Sequence, residues 1–144
     1  MMLNKIGINN PTHNDNLLLH ELLDLMNKNK LDYNNTFLWL MNGEYKDKKQ
    51  FKNFSIDQWM QKWEKRINNN VDQSYKLMKN SNPVIIPRNH LIEEALSKAE
   101  KGNLKLFNTL LNKLAKPYTS EKIDAKYQSI PQGFDEKYKT FCNT

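Results

Sequence analysis

Cysteine, arginine and glycine are scarce in this 144-residue chain, and each scarcity removes a class of function. The single thiol, Cys142, excludes an intrachain disulfide and a cysteine-based zinc cluster. The four glycines, Gly7, Gly43, Gly102 and Gly133, lie too far apart to form a phosphate-cradling loop. No Asp-Phe-Gly-like metal motif is present; Gly133-Phe134-Asp135 runs in the wrong order. No apolar run approaches the roughly 20 residues of a membrane-spanning helix. The longest is Phe37-Leu38-Trp39-Leu40-Met41. The N-terminus carries no basic start, apolar stretch and small-residue cleavage site in succession. The reading is a cytoplasmic protein with no membrane partner.

What is plentiful is lysine and asparagine. The formal net charge is +6, yet lysine is spread along the chain and clusters such as Lys46-Asp47-Lys48-Lys49 contain an acid. Arginine, the usual reader of base edges, occurs only at Arg66 and Arg88. Nucleic acid is therefore not an expected partner. His13 and His20 are seven residues apart and could share a helix face, but no acid or thiol completes a metal site with them or with His90. The residues themselves indicate no metal and no cofactor.

The chain reads as all-α, an array of about six short helices in one domain of residues 1–144, with an extended tail over 118–144. Pro11 and Thr12 precede a helix from Asn14 or Asp15 to Asn27, with Leu18, Leu22, Leu25 and Met26 on one face and Leu19 and Leu23 widening it. A second helix covers Tyr33 to Met41 and ends at Asn42-Gly43; the polar stretch from Glu44 to Asn53 is a loop. Ser55-Ile56-Asp57-Gln58 has a capping-box pattern, and Ile56, Trp59, Met60, Trp63 and Ile67 then form an uninterrupted stripe. Two tryptophans there could make a stacking platform, but a core stripe fits their polar opposite face better. Asn68-Asn69-Asn70 breaks this helix, and another runs to about Asn80.

Pro83 and Pro87 make Asn82 to Pro87 an extended connector, with Pro87 suited to the first turn of the next helix. That helix runs to Lys101 with Leu91, Ile92, Ala95, Leu96 and Ala99 inward. Gly102 is its left-handed cap, and Asn103 caps a helix from Leu104 to Leu114 with Phe107, Leu110, Leu111 and Leu114 inward. The two form a helical hairpin, which Pro117 ends. The aromatics Tyr127, Phe134, Tyr138 and Phe141 indicate a tail that lies against a surface.

Several segments carry a family resemblance. Asn82-Pro83-Val84-Ile85-Ile86-Pro87-Arg88-Asn89-His90-Leu91 is similar to an NPxxxxRNxL segment, and Ala99-Glu100-Lys101-Gly102-Asn103 to an AEKGD turn. Lys116-Pro117-Tyr118 resembles RPY or RPF. Lys5-Ile6-Gly7-Ile8 resembles KLGL, and Asp32-Tyr33-Asn34-Asn35-Thr36-Phe37 resembles DYTNTF. Pro131 and the closing Phe141-Cys142-Asn143-Thr144 resemble a tail ending in Cys or selenocysteine, Ser, Ser. In this order they resemble the C-terminal region of the selenoprotein O (SelO) family, kinase-like protein adenylyltransferases. Three positions depart from the pattern: Leu38 stands where the family has Arg, and Asn143-Thr144 replaces Ser-Ser.

The resemblance implies a parent protein that uses ATP and Mg to transfer AMP to protein hydroxyls. It places those parts upstream of the matched region, so this chain is expected to carry no catalytic residue and to have the upstream kinase-like part as its partner. A domain of a larger protein, a truncated gene product and half of a split protein all fit. A piece of a larger protein is expected to expose the apolar surface that meets the rest. Arg88 and Asn89 read either as an anchor to the kinase-like body or as a local cap with surface charge. Cys142 reads either as the thiol of a regulatory disulfide or as a plain exposed thiol. The alternative function is a free-standing helical module that binds a protein or anionic partner through a basic surface.

Overall fold

Two of the helix starts are fixed by side-chain hydrogen bonds. The structure, a computed structural model, describes residues 2–44, 56–119, 123–129 and 131. The described residues are all-α. They form α1 (His13–Lys28), α2 (Tyr33–Asn42), α3 (Asp57–Ile67), α4 (Val71–Ser81), α5 (Asn89–Glu100) and α6 (Lys105–Leu114), with 3-10 turns at Leu3–Ile6, Asn68–Asn70 and Ala125–Tyr127. At the start of α1 the Asp15 carboxylate accepts from the Thr12 backbone N–H at 2.6 Å and from its hydroxyl at 2.9 Å. At α2, Asp32 accepts from the Asn35 N–H at 2.8 Å. Gly43 closes α2 in the left-handed region. The expected cap at Ser55 lies outside the described residues.

The chain divides into two compact units, Met1–Pro83 and Val84–Thr144. In the first, α3 buries Trp59, Met60, Trp63 and Ile67, and α1 buries Leu18, Leu19, Leu22 and Met26. Both α3 indoles are core residues with satisfied N–H groups, not a platform. Trp59 donates to the Leu18 carbonyl at 2.7 Å and Trp63 to the Ile6 carbonyl at 2.8 Å, with the rings stacked at 5.9 Å. Burying an indole without such an acceptor would cost more than a buried hydrocarbon returns.

The 3-10 turn at Leu3–Ile6 packs on α4, and Gly7 makes that approach possible. Its φ is +74°, and a Cβ there would lie 2.9 Å from both Cβ and the carbonyl oxygen of Ser74. Ser74 is itself buried. The segment therefore requires glycine on two independent grounds, conformation and space.

The second unit has a small core of Ile85, Leu91, Ala95, Leu110 and Tyr127, flanked by Leu106, Leu114 and Ile123. Tyr127 is packed into this core, and its ring has the ammonium groups of Lys113 and Lys126 at 5.0 and 4.9 Å from its centroid. Phe134, Tyr138 and Phe141 lie outside the described residues.

Two sequence expectations are corrected here. Pro87 precedes α5 instead of entering its first turn, because Arg88 holds an extended conformation (φ −92°, ψ 127°) and serves as the N-cap residue. Leu96, Phe107 and Leu111, expected inward, are 50%, 40% and 57% exposed. The α5–α6 pair covers the arc of α6 that holds Leu106, Leu110 and Leu114, and one neighbouring helix covers only one arc.

Gly7→Ala is expected to lower the unfolding free energy by about 2 kcal/mol or more, since strain in the left-handed region adds to a backbone clash. Gly43→Ala, with φ +71° and no atom within 4 Å of the added carbon, is expected to cost only the conformational part, about 1 kcal/mol. Urea denaturation of both variants measures the difference, and equal losses would remove the steric role of Gly7.

Candidate functional site

Among the described residues, several of the segments that carry the family resemblance meet in two hydrogen-bonded joints, one in each unit. The first is built on Asn82, which is wholly buried at the C-terminal end of α4. The proline that follows disfavours helical geometry at Asn82, whose backbone turns extended at φ −115° and ψ 107°. Its amide nitrogen donates to the Lys5 carbonyl at 2.9 Å. Lys5 returns the contact: its ammonium donates to the Ser81 carbonyl at 3.0 Å and reaches the Asn82 side-chain oxygen at 3.5 Å. It also stands 5.5 Å from the centre of the Phe37 ring.

The Lys5 charge thus sits on the carbonyl end of α4, where the helix dipole is negative. Burial pushes its ammonium below the usual lysine value. From α2, the buried Asn34 donates to the Pro83 carbonyl at 3.1 Å. Lys5-Ile6-Gly7-Ile8, the Asp32-to-Phe37 segment and Asn82-Pro83 therefore meet at one place. Leu38, where the family pattern has arginine, is 4% exposed, so an apolar side chain is seated there.

The second joint is in the other unit. The Val84 N–H donates to the Pro117 carbonyl at 2.7 Å. The Gln128 side-chain amide donates to the Val84 carbonyl at 2.9 Å, and Arg88 Nη2 donates to the Gln128 carbonyl at 3.1 Å. Three chain segments, the connector, Lys116-Pro117-Tyr118 and the 3-10 turn at Ala125–Tyr127, are stitched through main-chain oxygens. Arg88 is buried within this network, whereas Asn89, its neighbour in sequence, is exposed at the first position of α5. Cys142 lies outside the described residues.

A third polar pair, missed by sequence reasoning, joins α1 to α3. Arg66 Nε and Nη2 donate to the two oxygens of Asp15 at 2.7 and 3.1 Å. The same carboxylate caps α1, so one buried group serves two elements. Burial pushes the Asp15 carboxyl up, and the hydrogen bonds from Arg66 and Thr12 more than offset this and hold it below its ordinary value. The signal was present in the Thr12–Asp15 spacing, but nothing local pointed 51 residues ahead to Arg66.

The acceptors in both joints are mostly main-chain carbonyls, which hold shape and transfer no proton. Two grooves flank Lys62 between α1 and α3, lined by Asp24, Leu25, Gln58 and Trp59 on one side and by Asn14, Leu17 and Arg66 on the other. Neither pairs a nucleophile with a base. Gly7, Gly43 and Gly102 all sit in left-handed backbone at the ends of helical elements. Among the described residues no group of three or more His, Cys, Asp or Glu side chains could hold a metal. The residues described do not fit ATP or Mg. Among them, no helix is long and apolar enough to cross a membrane.

Comparison with known proteins gives these joints a context. The family described as protein adenylyltransferase SelO matches residues 1–115. A curated protein nucleotidyltransferase YdiU of Pelagibacter ubique is 44% identical over 147 residues, covering 100% of this chain and 30% of its own length. The YdiU of Clostridium beijerinckii is 40% identical over 146 residues, covering 99% of this chain and 30% of itself. That of Bacillus mycoides is 40% identical over 144 residues, covering 97% and 30%. The chain spans about 30% of the length of the curated relatives it matches.

Asn82→Ala removes a buried amide and leaves the Lys5 carbonyl without its donor; a loss of about 2 kcal/mol is expected. Asn89→Ala, at an exposed position, is expected to stay within about 0.5 kcal/mol. Chemical denaturation of the two variants tests whether the motif acts through the joint. The Asp15–Arg66 pair makes a separate prediction in pH. Because the folded-state value of Asp15 is depressed, its contribution is present above the ordinary value of 3.8 and is lost as pH falls through the lower folded value. Asp15→Asn is expected to be about 2 kcal/mol less stable than the parent at pH 7, with the gap closing below pH 3.8. A gap that persists unchanged at low pH would show that the charge is not what stabilises.

Proposed function

The chain belongs to the SelO family, as its ordered motifs led one to expect, and from that premise we propose that it forms the C-terminal helical accessory region of a protein adenylyltransferase. In this reading ATP and Mg are handled by the upstream kinase-like part of the longer protein, which transfers AMP to protein hydroxyls. This region is inactive alone.

The observation that supports it most is the fate of the motif residues. Lys5, Asn34, Asn82, Val84, Arg88 and Pro117 are engaged in joints through main-chain oxygens. Residues used this way keep helices at fixed angles and present a shaped surface. They do not polarise a phosphate. A match to about 30% of each relative leaves ample chain elsewhere for the chemistry. Arg88, being committed to the Gln128 carbonyl, acts here as a brace within its own unit. Asn89, which is exposed, remains open to contact with the upstream part. Within the same reading Cys142 is the candidate thiol for a regulatory disulfide with that part.

The test uses two proteins. One is the 144-residue chain, and the other is the Pelagibacter ubique relative with its matching 147 residues replaced by this chain. With ATP labelled at the α-phosphate, the chain alone is expected to bind no nucleotide and label no protein. The chimera is expected to transfer AMP. Labelling by the isolated chain, or a folded chimera that stays silent, would overturn the proposal. A silent chimera together with a partner captured equally well by the chain alone would favour the free-standing interaction module.

A further inference from the structure

The apolar side chains of α6 extend well past the arc its own unit covers. At about 100° per residue, Leu106, Leu110 and Leu114 occupy a stripe about 80° wide. These are the residues that pack on the core of Ile85, Leu91, Ala95 and Tyr127. Phe107, Leu111 and Leu104 follow directly beside that stripe, so that apolar residues run without a charge around about 160° of the helix. A helix that meets its protein along one side needs roughly 100°. The excess is uncovered: Leu104, Phe107 and Leu111 are 53%, 40% and 57% exposed.

Scattered exposed leucines are ordinary, but this set is not scattered. Among the described residues of the first unit the exposed large apolar side chains, Leu17, Tyr33 and Val71, lie on three different helices. Among the described residues of the second unit three fall on one stripe of α6, and Leu96 and Tyr118 are exposed elsewhere in that unit. The far edge of the stripe is bounded by Ala115, Asn108 and Asn112 rather than by lysine, in a chain whose net charge is +6.

The geometry points to the stripe of Leu104, Phe107 and Leu111 as the surface on which an apolar, uncharged face of the remaining part of the longer family protein docks. This rests on the reading above, that the chain is one region of such a protein. Two features select that occupant. The relatives carry about 70% of their length outside the matched region, so a large body is available on the same polypeptide. The patch is also small. Three side chains about half exposed offer roughly 300 Å² per copy, short of the ~800 Å² per partner typical of stable free complexes. A tethered body needs less, because covalent linkage supplies an effective concentration near the millimolar range. A second copy of the chain lacks that advantage.

The experiment places a thiol on the stripe. Leu111→Cys, with Cys142 replaced by Ser, is made in the isolated chain and in the Pelagibacter chimera, and maleimide labelling of that site is followed by peptide mass spectrometry. Lys105→Cys, on the far side of the same helix, is the control. At position 111 labelling is expected to be at least about tenfold slower in the chimera than in the chain alone, with no such change at position 105. Equal rates at position 111 in the two settings would overturn the docking surface, and would do so even if the chimera transfers AMP. Protection that develops in the isolated chain as its concentration rises would assign the stripe to self-association and also overturn it. Protection in a chimera that transfers no AMP would keep the docking surface and sink the adenylyltransferase reading instead.

Discussion

Asn82 is the residue on which the first unit turns. It ends α4, faces no water, and must satisfy a side-chain amide in an interior where a lost hydrogen bond costs as much as a lost methyl group. Its answer is reciprocal. The amide gives a proton to the Lys5 carbonyl, and the Lys5 ammonium gives protons to the carbonyl of Ser81 and the side chain of Asn82 itself. Pro83 fixes the backbone that makes this possible, because an asparagine followed by any other residue would be free to continue the helix. Gly7, two residues beyond Lys5, then lets the turn settle against Ser74. Each element of this arrangement presupposes the others, which is why short, unremarkable tripeptides separated by more than 70 residues belong to one physical object.

The second unit repeats the strategy with different parts. Its core is a handful of side chains, too few to hold three chain segments in register by burial alone. Main-chain carbonyls do the rest. Pro117, Val84 and Gln128 each offer an oxygen to the next segment, and Arg88 closes the series. Arginine suits that final place because several donors on one planar group can reach a carbonyl while the aliphatic stem stays buried.

How much of this could be read in advance depends on whether a signal is local. The helices were legible because caps and breakers act within four residues: Pro11 and Thr12 before α1, Asn42-Gly43 at the end of α2 and Gly102 after α5. The core stripe of α3 was legible for the same reason, as its polar opposite face leaves one solution. Arg66 was not, because its partner Asp15 is fixed only when α1 and α3 pack. Pro87 was read as the first turn of α5, but the unit needs an extended Arg88, and the helix starts after it. The inward face of α6 failed differently. With apolar residues around so wide an arc, periodicity names the arc and leaves open which part of it the neighbour covers.

That ambiguity carries information of its own. A sequence under selection for solubility alone would replace Phe107 or Leu111 with a polar residue, since neither supports the core of its unit. Keeping both widens the apolar arc and makes the helix harder to read, and the change is useful only if a second surface meets it. The joints and the stripe then divide the work by the nature of their forces. Hydrogen bonds to main-chain oxygens are directional and set the angle at which helices stand. Apolar contact has no direction and supplies adhesion wherever the shape allows. A region whose shape is fixed by directional bonds can present a non-directional patch at a defined place, and a tether makes even a small patch sufficient. On this argument the abundance of asparagine and lysine in the chain fits the same end: among the described residues it leaves adhesion to the uncharged stripe of α6.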